Sequence, residues 1–306
     1  MTGITLPVGV VVWERGWLSS NNILCVGAES AALIDSGYST HAEQTVELAA
    51  SALGARKLDL LLNTHLHSDH CGGNALLQTT YPEMQTHIPP GQAAFVSNWD
   101  AIALTYVPTG QLCHPFKFNE LLRPGSEVEL AGLTWEIHAA PGHDPHSVIF
   151  FEPQSRTLIS ADALWENGFG VVFPELEGDE AFEEVAATLD LIEQLNPRIV
   201  IPGHGPVFSY RSEVLGNARQ RLAAFIKNPH RHAHYAAKVL IKFKLLEQQQ
   251  LRLAELIGWA RCTSYFGQIQ LAFFESTPFE TWVELLTDEL VRSDAAQRKG
   301  DLVLNA

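Results

Sequence analysis

The chain has 306 residues, 46% of them hydrophobic and 18% charged, with a formal net charge of −15. These proportions exclude a disordered or fibrous polymer, and the length suits one large domain with an appendage. The charge is uneven: residues 1–210 hold seven Lys and Arg against 25 Asp and Glu, residues 211–306 hold 13 against 10, so the first part is a poor partner for nucleic acid or an anionic membrane.

Residues 9–13, 22–26 and 31–34 read as successive antiparallel strands, with a turn at Gly27-Ala28-Glu29-Ser30. The apolar run 8–13 stops at Glu14-Arg15, too short for a signal peptide or a membrane span, which sets the expectation of a cytoplasmic protein. Asp35-Ser36-Gly37 ends the third strand, and a helix is expected from about His41 to Leu53. After Leu60-Leu61-Leu62 comes Thr64-His65-Leu66-His67-Ser68-Asp69-His70-Cys71-Gly72-Gly73, with four potential metal ligands in six residues. An extended chain turns His65, His67 and Asp69 to one face, and His70 joins them from the turn opened by the glycine pair. Imidazole with carboxylate suits a borderline divalent ion such as zinc. A single histidine is more often a plain surface or core residue, so the cluster gains its weight from the later histidines and aspartate of the chain.

Residues 91–102 read as a helix. Strands at 133–138, 157–160 and 198–201 are each followed by a His or Asp in a Gly- or Pro-bearing loop: Pro141-Gly142-His143-Asp144-Pro145-His146, Ser160-Ala161-Asp162 and Pro202-Gly203-His204-Gly205. Residues 164–177 read as a loop whose Trp165, Phe169 and Phe173 either wall the substrate or pack the loop down. Phe182, Val185, Ala186, Leu189, Ile192 and Leu195 make a helical stripe ending at Asn196-Pro197. Beyond Tyr210, helices are expected at 213–226, 235–249, 251–260 and 279–291, then a hairpin at 295–304 around Arg298-Lys299-Gly300-Asp301. His230-Arg231-His232-Ala233-His234 reads as a solvated basic connector rather than a metal site, having no carboxylate or cysteine companion. His146 reads as a surface histidine, with contact to ligands or substrate as the alternative. Cys25, Cys71, Cys113 and Cys262 form no Cys-x-x-Cys pair and read as free thiols, Cys71 as a small buried hydrophobe.

The four motifs, in this order, resemble the signature of the metallo-β-lactamase-fold superfamily: His-x-His-x-Asp-His, a later His, an Asp and a final His. The likeness covers about the first two hundred residues. It implies an α/β (α+β) catalytic domain at 1–210 built as an αββα sandwich; the helices and hairpin of 211–306 read as a C-terminal, mainly helical subdomain, which resembles the winged-helix-like tail of some members of that superfamily. By position it implies that His65, His67 and His143 hold one divalent ion, that Asp69, His70 and His204 hold a second, and that Asp162 bridges them. Zinc is the favoured metal, with iron or manganese as alternatives. Asp35 resembles the acidic residue that orders the metal loop in such folds, with a plain turn-forming role as the alternative. Asp69 and Asp162 take catalytic roles, Asp162 orienting a metal-bridging hydroxide. The helix at 182–195 leaves no room for the insertion of the RNA-cleaving β-CASP branch.

The fold hosts many chemistries. With no export signal and an acidic catalytic domain, the expectation is hydrolysis of a small-molecule ester, thioester or lactone of the glyoxalase II-like kind. Two alternatives stand beside it: a nucleic-acid-processing hydrolase that reads its target with the tail, and a mononuclear-iron oxidoreductase resembling persulfide dioxygenases. Nucleic acid and membrane are not expected as partners, and the sequence leaves the oligomeric state open.

Overall fold

A computed structural model describes residues 4–306. Two six-stranded sheets dominate it. The first runs β1 (Val10–Trp13), β2 (Asn22–Val26), β3 (Ala31–Ile34), β4 (Leu60–Leu62), β5 (Gln85–Ile88) and β6 (Glu120–Leu121) in spatial order. The second comprises β7 (Glu127–Leu130), β8 (Leu133–Ala139), β9 (Val148–Glu152), β10 (Thr157–Ala161), β11 (Ile199–Pro202) and β12 (Phe208–Ser209), again with chain neighbours side by side.

Alternation along the strands builds the layers. Ile23, Ile34 and Leu62 of the first sheet share a buried cluster with Trp135, Ile137, Phe150, Ile159 and Ile201 of the second. Their neighbours Leu24, Leu33 and Leu61 point the other way, to Leu53 and Leu77 on the helices Ala42–Leu53 and Asn74–Thr80. Successive side chains on a strand face opposite sides, so one register serves both cores. The helix Ala181–Leu195 buries Phe182, Val185, Leu189 and Ile192. The result is an αββα sandwich. Each fully buried leucine or isoleucine contributes roughly 1.5–3 kcal/mol.

Strand direction places the candidate site. β3 and β4 run parallel, as do β10 and β11, so their C-terminal ends, which carry Asp35, Thr64, Asp162 and Gly203, come out side by side. A register shift between Ile159 and Ala161 lets β10 turn sharply there, with Ala161 at φ +45°.

By its internal contacts the chain divides into two compact units. One runs to Asp100 and resumes over Leu112–Ala223; the other is Ala101–Gln111 with Ala224–Ala306. In the second unit, the helices Pro229–Gln248, Leu253–Cys262, Ser264–Phe273 and Phe279–Arg292 pack with a three-stranded sheet. Its strand Leu302–Asn305 pairs with Ala296–Lys299, as the hairpin pattern anticipates, and also with Gln250–Arg252.

Three expectations need correction. The helix read at 91–102 is only Ala93–Asn98, because Trp99 takes a left-handed conformation (φ 47°) that ends it. Residues 164–177 are not all loop: Phe173–Glu177 forms a short helix with Pro174 in its first turn. The segment 230–234 is no solvated connector. It occupies the first turns of Pro229–Gln248, where Asn228 accepts a hydrogen bond from the Arg231 amide and Pro229 supplies a preset φ. His232 and Ala233 are buried, and His234 Nε2 lies 2.7 Å from Glu289 Oε2. No described helix is long and apolar enough to cross a membrane.

Candidate metal centre

All seven histidines and aspartates singled out in the sequence converge at the ends of these strands. Donor atoms of His65, His67 and His143 lie within 4.8 Å of one another, and those of Asp69, His70, Asp162 and His204 form a second such group. His65 and His67 follow β4, while Asp69 and His70 sit on the single turn Ser68–Cys71. His143 comes from the loop after β8, Asp162 from the end of β10, and His204 from the loop after β11. Asp162 faces both groups: its Oδ2 is 3.4 Å from His143 Nε2 and 3.8 Å from His204 Nε2, and its Oδ1 is 3.4 Å from His70 Nε2.

The outward-facing nitrogens determine which atoms point inward. His143 Nδ1 meets the Val171 carbonyl at 2.6 Å, His70 Nδ1 meets Asp35 Oδ2 at 2.7 Å, and His204 Nδ1 meets the Gly16 carbonyl at 3.3 Å. Each must carry a proton to make that bond, so that in the neutral ring Nε2 is a lone pair turned inward. The Thr64 hydroxyl donates to Asp35 and so accepts from His65 Nδ1 at 3.1 Å, with the same outcome. His67 presents Nδ1 instead, and its Nε2 stands 3.7 Å from buried Asp144. Pinning the non-ligating nitrogen on a carboxylate or carbonyl is the usual support of a metal-binding histidine.

These residues fit a metal. The Nε2 atoms of His65 and His143 lie 3.1 and 2.8 Å from His67 Nδ1. A single proton cannot serve all three, whereas one cation can. Ligands held about 2.0–2.2 Å from a tetrahedral zinc stand about 3.3–3.6 Å apart, a few tenths of an ångström wider than the spacing here. His70 Nε2 is buried without a well-aligned hydrogen bond, its nearest polar neighbour being Asp162 Oδ1 at 3.4 Å.

Electrostatics separate the two groups. Burial, together with His67, pushes His143 down to about 4. Burial and the neighbouring imidazoles push His65 well below its ordinary value. His70 is also penalised by burial, but Asp162 and Asp35 outweigh that and hold it well above the ordinary value. Burial opposes the proton on His204 too, yet Asp162 and Asp69 raise it. For Asp162, the attraction of His204 and His70 overcomes burial and keeps the carboxyl well below the carboxylate range. Without metal, protons are disfavoured on the imidazoles of the first group and favoured on those of the second.

Backbone constraints keep the site tight. A Cβ on Gly203 would stand 2.1 Å from Asp162 Oδ1, and one on Gly170 would stand 2.4 Å from His143 Nδ1. His146 is not a plain surface residue: its ring covers Gly91, where a Cβ would come within 2.1 Å of it. Cys71 is fully buried, and its thiol donates to the carbonyls of Leu66 and His67 as well as packing. All four cysteines are free. Of the three loop aromatics, Phe169 is buried under Arg221, whereas Trp165 reaches the centre and donates its indole N–H to Asp162 Oδ1 at 3.2 Å. Sequence reasoning missed Trp17, Asp144 and the carbonyls of Gly16 and Val171. The only prior signal was the position of Asp144 beside His143.

A family profile described as the metallo-beta-lactamase superfamily matches residues 15–204. A hydroxyacylglutathione hydrolase of Synechococcus sp. (strain JA-2-3B'a(2-13)) is 29% identical over 206 residues, 67% of this chain and 68% of the relative. Among solved structures, the metallo-beta-lactamase family protein TTHA1429 from Thermus thermophilus superposes with a TM-score of 0.59 at 19% identity, covering 99% of this chain and 100% of that one. TTHA1623, solved in a di-iron-bound form, gives 0.53 at 25% identity over 69% of this chain and 98% of its own.

Proposed function

This chain belongs to the metallo-β-lactamase superfamily, and from that premise we propose that it is a two-metal hydrolase of small-molecule thioesters or esters. The observation that carries this reading is the pair of adjoining donor groups, three imidazoles beside an Asp-His-Asp-His set, with Asp162 facing both. In it, His65, His67 and His143 would hold one divalent ion, zinc by preference, and Asp69, His70, His204 and Asp162 would hold the other. Such ions would supply Lewis acidity and acidify a bound water to near neutrality.

The chain's own residues do the rest. Asp35, Val171 and Gly16 lock the ring orientations of His70, His143 and His204, so no reorganisation is needed at the moment of reaction. The Trp165 indole donates to Asp162 Oδ1 and leaves Oδ2 turned toward His143 and His204, which fixes the carboxylate between the two donor groups. The acidic composition of residues 1–210 favours a small molecule over a polyanion, and similarity to a hydroxyacylglutathione hydrolase favours a thioester.

The test is elemental analysis of protein purified without added metal, followed by a panel of thioesters, esters and lactones at full metal loading. Two ions per chain and thioester turnover that disappears in Asp162→Asn support the reading. One iron per chain with oxygen uptake, or no turnover across the panel, overturns it.

A further inference from the structure

We propose that Trp17 and Trp165 form an aromatic subsite that selects a planar, apolar group on the substrate; this rests on the hydrolase reading above. Trp17 is 54% exposed, yet its ring lies parallel to that of His204, with centroids 5.4 Å apart and planes 11° apart. Trp165 stands edge-on to both, 5.3 Å from Trp17 and 5.5 Å from His204. Two indoles thus wall the His204 side of the metal centre, and half of Trp17 is left open beside it.

The wall is rigid. Gly16, at φ +80°, directs its carbonyl to His204 Nδ1 and so sets Trp17 over that ring. Just beyond, the Ser20 amide donates to the Asp69 carbonyl and the Asn21 amide to the Gly203 carbonyl. The Asn21 side chain adds bonds to the carbonyls of Pro202 and Gly205. Trp165 is held by its backbone bond to Gly168 and its indole bond to Asp162. A preordered aromatic surface loses little freedom when it binds. Indole faces carry negative charge density, so they favour flat apolar groups and disfavour anionic ones.

The experiment compares two thioesters of one thiol, acetyl and 2-naphthoyl, in wild type, Trp17→Ala and Trp17→Phe. It also measures 2-naphthoate binding by calorimetry to the metal-loaded protein. Wild type is expected to favour the naphthoyl ester by about tenfold in kcat/KM, the scale of one or two aromatic contacts. Trp17→Ala should bring that ratio near one, chiefly through KM, and Trp17→Phe should keep most of it. A ratio unchanged in Trp17→Ala, with both esters slowed alike, overturns the subsite, as does a wild type without preference. If neither thioester is cleaved, the hydrolase reading is judged by the wider panel of thioesters, esters and lactones instead. Naphthoate binding then decides the subsite: weaker binding to Trp17→Ala supports it, and equal binding overturns it.

Discussion

His70 Nδ1 donates to Asp35 Oδ2 across 2.7 Å, and both groups are buried. The same carboxylate accepts from the Thr64 amide at 2.9 Å and the Thr64 hydroxyl at 2.8 Å, so Asp35 orients His70 and the start of the ligand loop together. Asp35→Asn keeps the shape but loses the charge and puts a donor where His70 needs an acceptor. It should weaken metal binding about 10–100-fold, the range for removing such a support. Asp35→Ala also strands buried donors and should cost about 3–5 kcal/mol of stability. A chelator competition and a urea melt measure the two effects. Unaltered metal affinity in both variants would dismiss the orienting role.

The two donor groups should fail separately. His143 belongs to the three-imidazole group and His204 to the other. His143→Ala is expected to bind one ion fewer while keeping a site at Asp69, His70 and Asp162, and His204→Ala the converse. Metal content after dialysis against a limited chelator reads this directly. Loss of all metal from both variants would mean a single coupled site.

Proton inventory distinguishes the groups as well. His70 is held well above its ordinary value and His204 above it, so in the metal-free protein both keep a proton to higher pH than a free imidazole and must give it up to an ion. His143, at about 4, has no proton to lose. Calorimetry in two buffers of unlike ionisation enthalpy should show proton release for the Asp69–His204 group and little for the imidazole group. The affinity of the first group should also fall sooner on acidification. Folding linkage has opposite signs for the two. His143 is depressed on folding, so the unfolded chain takes its proton first, and stability is lost as pH falls from about 6.5. His70 and His204 are raised, and their contribution is present below about 6.5 and lost as pH climbs through their folded values. Equal proton release by both groups would contradict this assignment.

Much of this arrangement is legible in the sequence because ligand types at strand ends recur in order, and because strands such as Asn22–Val26 and Ala31–Ile34 are bounded by turn residues. Trp17 is not legible: its place depends on Ser20 and Asn21 bonding to Asp69 and Gly203, partners about 50 and 180 residues away. The start of helix Pro229–Gln248 escapes the sequence because Asn228-Pro229 reads as a break, although Asn as cap and Pro in the first turn also open helices. The end of the helix at Asn98 depends on Trp99 adopting a left-handed backbone, which no local residue preference announces.

Gly203 offers a clean separation of site from fold. A Cβ there would come within 2.1 Å of Asp162 Oδ1, 3.0 Å of His70 Cε1 and 3.1 Å of the Ala161 carbonyl carbon. The carboxylate can swing aside, but only by leaving the position that faces His143 and His204. The backbone amide of Gly203 still bonds to the Ala161 carbonyl, so β10 and β11 stay paired. Gly203→Ala is therefore expected to remain folded while metal affinity falls at least about tenfold, the usual cost of displacing a group that supports a metal site. Gly216→Ala is the control: it lies in the helix Ser212–Lys227 with nothing within 4 Å of the added carbon, and should gain about 0.5–1 kcal/mol from helix propensity alone. Circular dichroism melts with parallel metal titrations of both variants give the answer. A Gly203→Ala protein that binds metal as tightly as wild type would show that Asp162 need not hold its observed position.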